Sequence, residues 1–87
     1  MKEAQNNLTI KLYGSNRCHK TQFYIKFLDE TRLPYEFLDV EINKDYAEEL
    51  RGLYTNRKLN FPTITIGSKK LRNPQTKELE KWLIPNH

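Results

Sequence analysis

One cysteine stands in the whole 87-residue sequence, and that scarcity excludes more than any other feature. A single thiol closes no internal disulfide, so the bridged frameworks that hold small secreted domains together are ruled out. The expected compartment is the reducing cytoplasm. Histidine is nearly as scarce: the two are His19, beside the cysteine, and His87. A zinc site needs about four Cys or His ligands, so no metal is expected. No run of about 18 apolar residues exists, so no membrane partner is expected either. Residues 1–7 are polar, lack the apolar segment of a signal peptide, and are expected to form a flexible tail. The remainder, 8–87, is long enough for one domain with a small core. What the sequence does have is a net charge of +4. Its aromatics fall on apolar faces and are not interleaved with the basic residues. That leaves no platform for stacking bases, so no nucleic-acid partner is expected. A monomer is expected.

Hydrophobic periodicity divides the chain into seven elements. Leu8, Ile10 and Leu12 alternate with Thr9, Lys11 and Tyr13, the period of a strand. Gly14, Ser15 and Asn16 break it. From about His19 to Thr31, Phe23, Tyr24, Phe27 and Leu28 make one apolar helical face, with Phe23 and Phe27 expected in the core. Pro34 stops that helix. Tyr35–Val40 reads as a second strand. A second helix is expected from about Lys44 to Asn56, capped by Asn43 and striped by Ala47, Leu50, Leu53 and Tyr54. After the polar loop 57–60, residues 61–66 form a strand entered through Pro62. Gly67-Ser68 is a tight turn and Lys69–Arg72 the return strand. Asn73 is expected to cap the last helix, with Pro74 at its first position, Leu79, Trp82 and Leu83 on its apolar stripe, and Pro85 at its end. The order β-α-β-α-β-β-α implies an α/β domain. A right-handed crossover joins its first two strands, and a mixed four-stranded sheet carries three helices on its two faces.

Cys18 falls where the first helix begins. Unpaired N–H groups of a first helical turn and the helix dipole favour an anion there, which lowers a thiol pKa from its reference of about 8.5. Arg17 and Lys20 add positive charge on either side, and His19 adds more when protonated. Thr21, three residues on, is placed to give its hydroxyl to the thiolate. The thiolate is the species that attacks disulfides. The competing reading of a lone cysteine is a small buried apolar residue.

The segment from Leu12 through Gly14, Cys18 and Thr21 resembles the strand-loop-helix of glutaredoxins, written there as K-P-x-C-P-x-C. Leu33-Pro34-Tyr35-Glu36-Phe37-Leu38-Asp39-Val40 resembles the family's V-P-Y-E-x-x-D-V. Asn60-Phe61-Pro62-Thr63-Ile64-Thr65-Ile66-Gly67 resembles its T-V-P-x-[IV]-F-[IV]-G. Together the three matches span roughly residues 8–83 in family order. The resemblance implies the thioredoxin/glutaredoxin fold and a thiol–disulfide oxidoreductase reducing mixed disulfides. It implies Cys18 and Thr21 as catalytic residues and Tyr13, Phe61 and Pro62 as substrate-binding residues; Arg17, His19, Lys20 and Lys58 are added to the expected substrate-binding residues for their charge in the loops around the sulfur. It also implies a cis bond before Pro62, which leaves the Phe61 backbone free to pair with an extended peptide. Glutathione is the implied co-substrate, with glutathione or a reductase as electron donor and protein or small-molecule disulfides as partners. No tightly bound cofactor is implied.

The departures are informative. Thr21 replaces the second family cysteine, so the site is monothiol. Ser15 replaces a lysine that contacts a glutathione carboxylate. The acidic G-G-[CS]-D-[DS] segment is replaced by Arg72-Asn73-Pro74-Gln75-Thr76. The alternatives are an iron–sulfur or glutathione-binding scaffold, and a redox-inactive binding module on the same fold. Arg17, Lys20, Arg57, Lys58, Lys69, Lys70 and Arg72 lie in loops that this fold brings together, which predicts a cationic basin around the sulfur.

Overall fold

The computed structural model describes residues 9–83. The expected tail over 1–7, Leu8, Pro85 and His87 lie outside them. Seven elements follow in chain order: β1 (Ile10–Gly14), α1 (His19–Thr31), β2 (Glu36–Asp39), α2 (Lys44–Gly52), β3 (Thr63–Ile66), β4 (Lys69–Arg72) and α3 (Thr76–Leu83). The sheet order is β2-β1-β3-β4. β1 runs parallel to β2, with Gly14 opposite Asp39, and antiparallel to β3; β4 pairs antiparallel with β3. This is the mixed four-stranded sheet that the element order implied.

The strand period of two sorts side chains onto two faces. Ile10, Leu12, Ile64, Ile66 and Leu71 point to one face, where Tyr24 and Leu28 of α1 and Leu79 and Leu83 of α3 pack on them. Tyr13, Leu38 and Val40 point to the other and meet Ala47 and Leu50 of α2. Each face therefore has its own apolar cluster, and β1 contributes to both.

Three expectations on element bounds are corrected. α2 ends at Gly52, four residues before Asn56, because Leu53 and Tyr54 turn back onto Leu50 and Arg51 through backbone bonds of 3.0 and 3.2 Å. That turn brings the Tyr54 hydroxyl to Thr63 Oγ1 at 2.9 Å. Asn73 and Pro74 do not open α3, which starts at Thr76. Asn73 is left-handed (φ 50°) and gives its N–H to the Pro62 carbonyl, while Pro74 gives its carbonyl to the Tyr24 hydroxyl. Both residues are thus committed to tying the sheet and α1 together. β2 and β3 are shorter than the apolar runs that announced them. At α2, Asn43 caps as expected, accepting from the N–H groups of Asp45 and Tyr46.

Candidate active site

The β1–α1 loop is held from three sides. Gly14, the last residue of β1, abuts Thr21: a Cβ there would overlap Thr21 Oγ1 and lie 2.7 Å from Cγ2. The same Thr21 oxygen accepts the Ser15 N–H at 3.2 Å. On the far side, the Asp39 carboxylate accepts the N–H of Asn16 at 3.2 Å and of Glu41 at 2.9 Å. One buried carboxylate therefore fixes the segment that follows β1 and the segment that follows β2. Gln22 closes the loop by donating to the Asn16 carbonyl.

This scaffold delivers Cys18 to the N-cap of α1, with extended backbone (φ −89°, ψ 125°). Its N–H bonds to the Ser15 carbonyl at 3.0 Å, and its carbonyl accepts the first helical bond from Gln22. The side chain is half-buried. It makes no capping hydrogen bond of ordinary geometry, yet polar groups around it act on its titration. Burial raises the thiol. The N–H and hydroxyl of Thr21, the N–H of Lys20 and the Lys20 charge together outweigh burial, and the net shift is downward.

Cys18 opens into a shallow cleft lined by Ser15, Arg17, Glu41 and Phe61. The Phe61–Pro62 bond is cis. Among the described residues, no backbone group pairs with the N–H or C=O of Phe61. His19 and Lys20 are exposed in the first turn of α1, while Lys58 is exposed in the loop before Phe61, outside the cleft lining.

Three further expectations change. Tyr13 is 2% exposed, packs in the α2-side core and gives its hydroxyl to Glu49. It has no surface to offer a substrate, because strand alternation turns it away from the α1 face. Phe23 is 52% exposed and not in the core. Tyr24, its neighbour, takes the inward position instead, and the two rings meet edge to face at 5.4 Å. Phe23 borders a larger cleft, about 730 Å³, between α1 and the start of α3, with Lys20, Tyr24, Pro74 and Lys77. Phe27 is half-buried against the α1-side core.

The expected cationic basin is dispersed. Arg17 pairs with Glu41 and Arg57 with Glu48. Lys69 lies over the Trp82 ring at 4.8 Å and Lys70 over Tyr54 at 4.2 Å. Glu41 was missed as a site residue. A signal for it exists: in a parallel β-α-β unit the C-terminal ends of both strands meet at one edge. The residues after β2 therefore land beside those after β1. Glu41 takes the Ser15 hydroxyl and both Nε and Nη2 of Arg17, at 3.1 and 3.2 Å. The Arg17 and Ser15 hydrogen bonds hold its carboxyl below the usual range.

No family model and no curated protein sequence matches the chain. Solved structures do. A glutaredoxin from Archaeoglobus fulgidus superposes with a TM-score of 0.76 at 15% identity, over 92% of this chain and 90% of that one. The thioredoxin-like protein BC3987 gives 0.71 at 23% identity, over 84% and 97%. A point mutant of BC3987 gives 0.72 at 24% identity, over 85% and 97%. Identities this low speak for the path of the backbone, and by that path the chain has the thioredoxin-like fold.

Proposed function

We propose that this protein is a thiol–disulfide oxidoreductase that works with one cysteine, reducing mixed disulfides with an external thiol. The observation that carries the reading is the position of Cys18. It caps the 13-residue helix α1 at the mouth of a cleft, with its thiol shifted toward the thiolate. The Cys18 thiolate attacks one sulfur of a substrate disulfide. An Sγ–S bond forms as the substrate S–S bond breaks, and the departing sulfur leaves with the electron pair and takes a proton from solvent. A second, external thiolate then attacks the sulfur now joined to Cys18 and releases Cys18 as thiolate. The features that stabilise the nucleophile also make it a good leaving group in this step. With glutathione as the external thiol, a glutathionylated protein plus one glutathione yields protein thiol plus glutathione disulfide. A reductase is the alternative electron donor.

Thr21 serves as a hydrogen-bond donor to the thiolate, and its substitution for cysteine leaves resolution to the outside. The free backbone of Phe61, beside Pro62, is placed to pair with an extended peptide. Arg17, His19 and Lys20 border the path of approach, and Lys58 lies farther out. A glutathione-coupled assay of mixed-disulfide reduction on the wild type and Cys18→Ser tests the reading. The wild type is expected to turn over and Cys18→Ser to fall to the uncatalysed rate. Equal rates would refute an enzymatic role for Cys18.

A further inference from the structure

We propose that Glu41 sets the charge selectivity of the Cys18 cleft, handicapping anionic thiols and disulfides and favouring neutral or cationic ones. This rests on Cys18 being the nucleophile. Glutathione, an anion, is then a substrate whose rate Glu41 holds down.

Ser15, Arg17, Glu41 and Phe61 line the cleft together with Cys18. Arg17 is the cation of that lining, with a side chain 84% exposed to solvent. An exposed guanidinium next to a reactive sulfur attracts carboxylates, through both its charge and its paired donors. Here Nε and Nη2, the edge that would receive a carboxylate in fork geometry, already hold Glu41. The third bond to Glu41 comes from Ser15, whose hydroxyl oxygen in turn accepts the Arg17 N–H at 3.2 Å. The carboxylate is thereby anchored to the loop that carries Cys18. Its backbone is anchored as well, since the Glu41 N–H bonds to Asp39. Glu41 thus does two things: it offsets the positive charge of Arg17 and occupies the Nε–Nη2 edge of its guanidinium. A substrate carboxylate approaching on this side meets a closed ion pair, and an ammonium meets an accessible carboxylate. Lys20 lines the cleft beside the start of α3 and not this one, so the discrimination belongs to the Glu41 side.

The single cysteine of the chain makes the test clean, because alkylation reports one site. Iodoacetamide is neutral and iodoacetate anionic, and both react with the same thiolate. The ratio of their rates therefore cancels any change in thiolate fraction and isolates the local field. Glu41→Gln is expected to raise the iodoacetate-to-iodoacetamide ratio about two- to threefold at low ionic strength. That is the order for one exposed charge within a Debye length. Arg17→Gln is expected to lower the ratio by a similar factor, and both effects should shrink in molar salt. With disulfides, Glu41→Gln should shift preference from cystamine towards glutathione disulfide by at least the same factor. Ratios unchanged in both variants, or moved in the same direction in both, would overturn the proposal. Should Glu41→Gln fail to fold, the exposed Arg17→Gln decides. Failure of the nucleophile reading shows separately: the absolute iodoacetamide rate of the folded wild type would not exceed that of the denatured chain.

Discussion

At the scale of the residue, the site turns on the hydroxyl of Thr21. The hydroxyl oxygen receives the Ser15 N–H, which positions the loop, and the same hydroxyl lowers the pKa of the Cys18 thiol. Thr21→Val removes both interactions, whereas Thr21→Ser keeps both. The pH profile of iodoacetamide alkylation separates them. In the wild type the folded thiol titrates below its ordinary value, so reactivity should reach its plateau at a lower pH than a free thiol does. Thr21→Val is expected to move that profile to higher pH and to slow alkylation at neutral pH by roughly three- to tenfold, the worth of about one ordinary hydrogen bond. Thr21→Ser should stay close to the wild type. The linked effect on stability has a definite sign. A depressed folded pKa stabilises the fold above the unfolded thiol's pKa, and that stabilisation is lost as pH falls through the folded value. In Cys18→Ser this contribution to the pH dependence of unfolding should vanish.

At the scale of the element, the packing of β1 against α1 depends on the absence of one carbon. Gly14→Ala would drive a methyl into Thr21, which is fully buried and cannot swing away. Denaturant melts should show a loss of about 1–3 kcal/mol, the usual range for overpacking. A slower alkylation of Cys18 should accompany it, since the same contact seats the loop. The elements also show where sequence reasoning reaches and where it stops. The α1 bounds, the Asn43 cap and the hairpin at Gly67 rest on local chemistry, and all were legible. The start of α3 was not. Asn73 and Pro74 carry a good local signal for a helix N-terminus, but a tertiary competitor engages them, the Pro62 carbonyl and the Tyr24 hydroxyl. Phe23 and Tyr24 are adjacent on the helix, and periodicity alone does not say which turns inward. Tyr24 wins because its hydroxyl finds partners inside, at Pro74 and Asn73. That Cys18 and Thr21 fall at the start of α1 was legible in the sequence. Glu41 was hidden because its role depends on two strand ends meeting, a relation between segments 26 residues apart.

At the scale of the whole molecule, one sheet supports two apolar clusters, and β1 feeds both. Leu12 lies in the α1–α3 cluster and Leu50 in the α2 cluster, each fully buried. Truncating either, Leu12→Ala or Leu50→Ala, is expected to cost about 2–5 kcal/mol, a large share of the total for a domain this small. Because the shared strand couples the faces, each variant should still unfold in one transition, with near- and far-ultraviolet circular dichroism melting together. Separate transitions would mean that the two faces are independent.

The edge strand β4 has a consequence for how molecules of this protein behave towards one another. Among the described residues β4 pairs on one side only, and its outer side presents backbone donors and acceptors with no strand partner there. Such a border invites another chain to add on and propagate into aggregates. Three of its four residues are Lys69, Lys70 and Arg72, all exposed. Lys69 folds over Trp82 and Lys70 over Tyr54, so one cation guards each face of the border. A second copy arriving edge to edge would bring like charges into register and would have to displace both lysines from their rings. Lys69, Lys70 and Arg72, three of the 15 basic residues of this chain, thus oppose the edge-to-edge zipping of identical sheets.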